Sequence, residues 1–119
     1  GDDYFASARL TRQQARDSAI SLLQEAAAQE GADQSVADEA SLGIQTLASY
    51  TLAEAQIENL VTAKGYADCV AFMGEESISI VVSKDDGSDL TAEDVAKITD
   101  IAITETGYDA SGIKIVPAN

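Results

Sequence analysis

Several residue types are missing from the sequence or nearly so. The 119-residue chain contains no histidine, no tryptophan, one cysteine and one proline. Without histidine, imidazole acid–base catalysis, histidine-oriented nucleophiles and histidine-ligated metal sites are excluded. One cysteine can form neither an internal disulfide nor a cysteine-rich metal site. Basic residues are also scarce, with 7 against 21 acidic ones and a net charge of −14, so nucleic acid and anionic lipid are not expected as ligands.

Aromatic residues make up only 5% of the chain. High charge and few aromatics are typical of disordered proteins, but 45% of the residues are hydrophobic and they recur at regular spacing. Much of this fraction is alanine, which favours helix and buries little area. No apolar run approaches the roughly 20 residues of a membrane span, and no signal peptide is visible. We therefore expect a folded, helix-rich chain with a modest core.

Residues 1–50 are predicted to form an N-terminal helical extension. Neither glycine nor proline interrupts residues 4–30, and Gly31 is placed to end this first helix. A second helix follows over residues 36–48, and Thr51 with Glu54 has the pattern of a capping box that starts a third. The alternative, in which the second and third helices form one bent helix, stays open. The apolar stripe predicted for the first helix comprises Ala8, Ala15, Ala19, Leu22, Leu23 and Ala26.

Residues 51–119 are predicted to form an α+β domain in the order helix, strand, strand, helix, strand. Residues 68–73 and 77–83 read as an antiparallel hairpin, and Thr91 with Asp94 caps a helix that Gly107 ends. Residues 113–116 form the last strand. Two helices would lie on one face of a three-stranded sheet. The positions predicted to be buried are Ile57, Leu60, Val61, Ile78, Ile80, Val82, Val95, Ile98, Ile101 and Ala102.

No residue set predicts catalysis, cofactor binding or a metal site. Counted from Asp85, an EF-hand loop would place Gly87 at the third ligand position and Ala96 at the twelfth, so the calcium pattern fails. The adjacent acidic pairs lie at a hairpin tip and in a first helical turn, where carboxylates are common. Cys69 lies in an apolar strand, with no basic residue nearby in sequence that would activate it. We therefore expect a protein that is not an enzyme.

Contact surfaces are the remaining functional feature. Ile103 lies roughly opposite the buried face of its helix, and Lys97 and Thr99 lie on the outer side of the same helix. A three-stranded sheet has two edges that can pair with another chain, and we place them among residues 78–82 or 113–116. The candidate protein-interface residues are Ile103, Lys97, Thr99, Ile78, Ile80, Ile113 and Ile115.

Four segments of the chain resemble the stage III sporulation protein AH family. They are Tyr4 to Arg16, Ile57 to Phe72, Leu90 to Ile98 and Gly112 to Val116. The resemblance implies a ring-building-motif fold, akin to ring proteins of type III secretion systems and flagellar basal bodies. It further implies a noncatalytic domain in the space between mother cell and forespore, preceded in the natural protein by an N-terminal anchor in the mother-cell membrane. There it would bind stage II sporulation protein Q, and its copies would form part of a channel between the two cells.

Two other function classes fit the element order. A KH-like module that binds nucleic acid or a small ligand shares the order helix, strand, strand, helix, strand. Such a module needs a basic, glycine-rich loop between helices, which this acidic chain lacks. A carboxylate- or metal-based enzyme would need a set of converging polar residues, and the sequence shows no such set. Both remain alternatives to the assembly domain.

Overall fold

Two long helices precede a small sheet in the computed structural model, which describes residues 2–29, 31 and 33–118. The molecule is elongated, with extents of 57 × 30 × 19 Å. The α+β class and the predicted order from the second long helix onward are confirmed. The elements are α1 (Asp2–Ala28), α2 (Gln34–Ala63), β1 (Asp68–Met73), β2 (Ile78–Ser83), α3 (Ala92–Thr106), a 3-10 turn (Ala110–Gly112) and β3 (Ile113–Pro117).

Helix α2 is continuous where the sequence suggested a break. The capping box predicted at Thr51 and Glu54 is wrong, because no proline or turn precedes Thr51 and the helix runs through it. The Thr51 hydroxyl instead donates to the Leu47 carbonyl at 3.0 Å, as hydroxyls inside helices do. Of the two alternatives left open, a single helix over residues 34–63 is the one observed. The division between residues 50 and 51 therefore falls inside α2.

Helices α1 and α2 pack against each other as a hairpin. The Leu23 side chain lies over Gly43, where a Cβ atom would come within 3.0 Å of Leu23 Cδ1, so the absence of a side chain permits this close approach. The stripe predicted for α1 is only partly correct. Ala15 is exposed and Leu22 is 66% exposed. The reason is that α1 packs against one helix over much of its length, and this contact covers less of its surface than a domain core would.

The sheet has the order β1-β2-β3, with β1 antiparallel and β3 parallel to β2. The hairpin is confirmed, and helix α3 forms the crossover that a parallel pair requires. Because β2 is the central strand, the prediction that residues 78–82 form a sheet edge is wrong. The two edges are β1 and β3.

The main core lies between one face of the sheet and helices α2 and α3. The predicted helix–sheet face is confirmed at most positions, but Val95 is 38% exposed and was wrongly placed in the core. Phe5 of α1 covers Val70 and Val81 on the opposite face of the sheet, so the start of α1 docks on the domain. The buried residues of the main core are Ile57, Val61, Tyr66, Cys69, Ala71, Ile78, Ile80, Val82, Ile98 and Ala102.

Helix α3 begins and ends where the sequence predicts. The Thr91 hydroxyl accepts from the Asp94 amide and the Asp94 carboxylate accepts from the Thr91 amide, which is the predicted capping box. Gly107 ends the helix with a φ of 74°, a conformation that costs glycine little. Both ends of α3 are therefore fixed by local sequence, and its outer face has a defined orientation.

Candidate interaction surfaces

The outer face of α3 presents two apolar side chains to solvent. Ile103 and Val95 are each 38% exposed, which confirms the predicted exposure of Ile103. Lys97 is exposed and its Nζ atom lies 3.7 Å from Glu93 Oε1, whereas Thr99 is half-buried. This face combines apolar area with one basic group on an otherwise acidic chain. Its use as a contact surface stays a prediction.

The candidate residues on the strands are divided by the sheet order. Ile78 and Ile80 are 2% and 0% exposed on the central strand, so both lie inside the core and neither is accessible to another chain. Ile113 and Ile115 lie on the edge strand β3, with half-buried side chains packed on the same core. The structure therefore keeps one of the two proposed edges, residues 113–116, which lie in the edge strand β3.

Strand β3 offers few backbone donors at its outer side. The Ala118 amide donates to the Val82 carbonyl at 2.9 Å, and strand alternation then directs the backbone groups of Ile113, Ile115 and Pro117 away from β2. The Ile113 amide already donates a hydrogen bond to the Ala110 carbonyl, and Pro117 has no amide hydrogen to donate. The outward donor of β3 is thus the Ile115 amide. No side chain of the described residues is hydrogen-bonded to the β3 backbone.

The β1 edge, in contrast, is covered by charged side chains. Arg9 and Arg12 of α1 donate to its carbonyls, and Glu54 and Glu58 of α2 accept from its amides. Arg16 and Asp68 pair with members of these two sets. We call these residues the edge ladder: Arg9, Arg12, Arg16, Glu54, Glu58 and Asp68.

The edge ladder is tied together by short ion pairs. Arg12 Nη1 lies 2.7 Å from Glu58 Oε2, and Arg9 Nη2 lies 2.7 Å from Asp68 Oδ1. Arg16 binds Glu54 through both of its terminal nitrogens, with Nη2 at 3.1 Å from Oε2. The Glu54 side chain is 0% exposed. These contacts fix α1 against α2 and β1.

Burial and ion pairing set the ionisation of the ladder's exposed end. Burial would raise the pKa of Asp68, but the hydrogen bonds from Arg9 and the Cys69 amide outweigh it and the pKa lies below its ordinary value. The hydrogen bond to Asp68 raises the pKa of Arg9. Burial raises the pKa of the neighbouring Cys69 thiol to about 12, so this thiol is a core group with no nucleophilic character near neutral pH.

The lysines do not form a basic surface. Lys64, Lys84 and Lys97 line a small pocket of about 270 Å³, but Asp85, Asp86 and Asp94 line the same pocket. Because aspartates lie among these lysines, the pocket does not form the continuous positively charged surface that a KH-like module would need to bind a phosphate backbone.

Asp94 is the centre of the polar contacts beneath this pocket. Its carboxylate accepts from the Thr91 amide at 2.8 Å, from Lys84 at 2.9 Å and from the Tyr66 hydroxyl at 2.7 Å. These hydrogen bonds hold the pKa of Asp94 well below its usual range, and the bond from the Thr91 amide has the largest effect. Burial and Asp94 together raise the pKa of Tyr66 to about 12. The arrangement joins the start of α3 to β2 and leaves no group poised to exchange a proton near neutral pH.

A groove of about 620 Å³ lies beside the edge ladder, between α1, α2 and the end of β1. Its walls include Ala8, Ala15 and Ala19 from the predicted α1 stripe, together with Leu47 and Phe72. These three alanines of the stripe therefore line an open groove, whereas Leu23 of the same stripe packs against Gly43 of α2.

Two structural features bear on the function classes raised by the sequence. Among residues 2–29, 31 and 33–118, no three histidine, cysteine or carboxylate residues are grouped to hold a metal ion. No helix in that same set combines the length and apolar character needed to span a membrane.

The edge ladder is the feature of the candidate surfaces that sequence reasoning missed. Its arginines are spaced three and four residues apart, and Glu54 and Glu58 are four apart, so each set lies on one helix face. That spacing was a usable signal. The spacing alone could not show that the arginines of α1 pair with the glutamates of α2, because this pairing depends on how α1 folds back on α2.

Comparisons with known proteins agree with this architecture. A chain of the SpoIIQ-SpoIIIAH pore forming complex superposes with a TM-score of 0.78, at 21% identity over 97% of this chain and 98% of that one. The type III secretion system protein EscJ of enteropathogenic E. coli gives a TM-score of 0.56, at 20% identity over 64% of this chain and 50% of EscJ. No curated protein matches in sequence. A family model for SpoIIIAH-like proteins matches residues 1–115, and the chain therefore belongs to the SpoIIIAH-like protein family.

Proposed function

We propose that this chain is a noncatalytic assembly domain that forms part of a ring or channel between mother cell and forespore during endospore formation. It acts by self-association and by binding a SpoIIQ-like partner. In this proposal the domain lies in the intermembrane space, and an N-terminal anchor holds the full protein in the mother-cell membrane. The domain works without a cofactor, and its recognition is by protein surfaces alone.

The observation that carries the proposal is the coverage of the similarity. The family model spans residues 1–115, and the chain from the SpoIIQ-SpoIIIAH complex aligns with 97% of this chain. Both long helices and the sheet are included in that alignment, so the likeness extends beyond a common small-domain core. The second solved structure, which covers 64% of this chain, supports the ring-building character of the fold.

Two surfaces are suited to the proposed contacts. The outer face of α3 offers Ile103 and Val95, and the β3 edge offers the Ile115 amide with its flanking carbonyls. A strand added at β3 would extend the sheet, and α3 would remain free for a second partner. Two separate surfaces on one molecule are what a ring subunit with an additional partner requires.

Co-purification with the SpoIIQ-like protein of the same genome tests the proposal, using surface variants. We expect the unmodified chain to retain this partner, and we expect Ile103→Asp or Ile115→Pro to weaken retention or assembly at least tenfold. An aspartate places charge in a desolvated contact, and a proline removes the outward donor of β3.

Matched variants separate these effects from loss of folding. Thr104→Asp adds the same charge about 100° further round the helix, and Ile115→Ala loses the same side chain but keeps the amide. Both controls should bind as the unmodified chain does. If Ile103→Asp and Ile115→Pro leave partner binding and assembly unchanged, the two surfaces are wrongly assigned. If the unmodified chain retains no SpoIIQ-like protein, the proposed partner is wrong.

A further inference from the structure

The two edges of the sheet are treated differently by the fold. At β3 no described side chain is hydrogen-bonded to the outward backbone. At β1 the outward amides of Cys69, Ala71 and Met73 and the outward carbonyls of Cys69 and Ala71 are all hydrogen-bonded to side chains.

The covering contacts alternate in the way that a neighbouring strand would. The Ala71 amide donates to Glu58 Oε2 at 2.9 Å, and the Met73 amide donates to Glu54 Oε2 at 2.8 Å. The Ala71 carbonyl, which lies between these two amides, accepts from Arg12, and the Cys69 carbonyl, which precedes them, accepts from Arg9. Carboxylates thus accept from the amides of Cys69, Ala71 and Met73, and guanidinium groups donate to the carbonyls of Cys69 and Ala71, so that donors and acceptors alternate from Cys69 to Met73 as they do beside a strand.

The hydrogen bonds from these side chains to the β1 backbone are stronger than hydrogen bonds to water would be, so another strand does not easily displace them. Hydrogen bonds to charged groups are stronger than neutral ones, and these charges are themselves paired. The Arg12 and Glu58 side chains are 18% and 12% exposed, so solvent screens their attraction only partly.

We infer that the edge ladder closes the β1 edge as a substitute for a fourth strand, and thereby restricts strand pairing of this domain to β3. A sheet with two open edges can propagate from copy to copy, whereas a sheet with one open edge can pair with only one other copy. The inference concerns the isolated chain and does not depend on which partner the domain binds. Loss of binding to a SpoIIQ-like protein would leave it unaffected.

The double variant Arg12→Met, Glu58→Ala tests this inference directly. It removes the donor and the acceptor that cover Ala71, and it leaves neither residue as a buried unpaired charge. The net charge of −14 is unchanged, since one positive and one negative group are lost together. We expect the Ala71 amide to exchange about tenfold faster or more, the factor for one lost charge-assisted hydrogen bond. We also expect concentration-dependent association in sedimentation velocity, with an intermolecular β-sheet band in the infrared spectrum.

The control is the charge-neutral variant Lys64→Met, Glu105→Ala, which removes one basic and one acidic group in the same way at two exposed positions outside β1 and the edge ladder. It should sediment and exchange as the unmodified chain does. A folded test variant with an unchanged Ala71 amide would overturn the inference. So would a folded variant whose Ala71 amide exchanges rapidly but whose sedimentation coefficient stays constant with concentration, because an open edge would then need no cover.

A second pair of variants decides the matter if the double variant fails to fold. Glu58→Gln keeps an oxygen that can accept from the Ala71 amide, whereas Glu58→Ala does not, and both remove the same charge. The inference requires association and faster Ala71 exchange in Glu58→Ala only. Equal behaviour of the two single variants would contradict it.

Discussion

Glu54 shows most clearly how single residues hold the long helices to the domain. Its carboxylate is fully buried, and it accepts from both terminal nitrogens of Arg16 and from the Met73 amide. A buried carboxylate is tolerated only when its hydrogen-bonding positions are filled and its charge is compensated. One side chain of α2 therefore connects α1 with the end of β1.

Replacing Arg16 should be costly because it leaves Glu54 only partly compensated. We expect Arg16→Gln to lower the free energy of unfolding by about 3 kcal/mol, in the range measured when one partner of a buried pair is removed. Urea denaturation followed by circular dichroism measures this change. Lys64→Gln removes the same charge from an exposed position and should change the stability by no more than about 0.5 kcal/mol. Equal losses in the two variants would show that the Arg16–Glu54 pair does not hold α1 in place.

Among the elements, the junction between the hairpin turn and β3 is the tightest backbone contact around a glycine. A Cβ atom at Gly112 would come within 2.4 Å of the Glu76 carbonyl oxygen. The contact sits just before Ile113, which pairs with Ile78 at the start of the parallel ladder. The register of β3, and with it the open edge of the sheet, therefore depends on a position without a side chain.

We predict that Gly112→Ala lowers the free energy of unfolding by about 2 kcal/mol or more. The backbone of Gly112 is not in the left-handed region, so alanine would otherwise be stabilising through the unfolded chain, and the loss is steric in origin. Chemical denaturation measures the effect, with Ser111→Ala, an exposed neighbour, as the control. An equally stable Gly112→Ala variant would mean that the turn and β3 do not approach as closely as described.

The elements also show how far the sequence could predict the fold. Thr91 with Asp94 and Thr51 with Glu54 have the same spacing of cap residues, but only the first pair starts a helix. Thr91 follows a loop containing Gly87 with a φ of 72°, whereas Thr51 is preceded by uninterrupted helix-forming residues. Local patterns thus identified the elements of residues 64–117, where turns and caps are strong.

The surfaces were less predictable because they depend on tertiary contacts. Alternation placed Ile78 and Ile80 on one face of a strand, which is correct, but it cannot tell a central strand from an edge strand. The edge ladder required knowing that α1 returns along α2 to reach β1. Exposure of Ile103, in contrast, followed from helical periodicity alone and is confirmed.

At the scale of the whole molecule, the net charge of −14 opposes association of identical copies. The three arginines are paired within the chain, Lys84 is paired with Asp94 and Lys97 with Glu93, and Lys64 lines a pocket that three aspartates share. A copy of this chain therefore finds little free positive charge on its neighbour. Ring formation would need salt screening or a partner that supplies compensating charge.

We expect the isolated chain to associate weakly at low ionic strength and more strongly as salt is added. At about 0.01 M salt the Debye length is about 30 Å, and at about 0.15 M it is about 8 Å, so repulsion between copies is largely screened only in the second case. Sedimentation velocity at both concentrations measures the difference. Stable oligomers at the lower salt concentration would show that charge repulsion does not prevent self-association.

The central claim, that this member of the SpoIIIAH-like family is an assembly domain, is tested most directly by one mixing experiment. The chain and the SpoIIQ-like protein of the same genome are sedimented separately and together at about 0.15 M salt. We expect a faster boundary that contains both proteins, and this boundary should be lost with Ile103→Asp or Ile115→Pro but kept with Thr104→Asp and Ile115→Ala. Independent sedimentation of the two unmodified proteins at all concentrations would contradict the account.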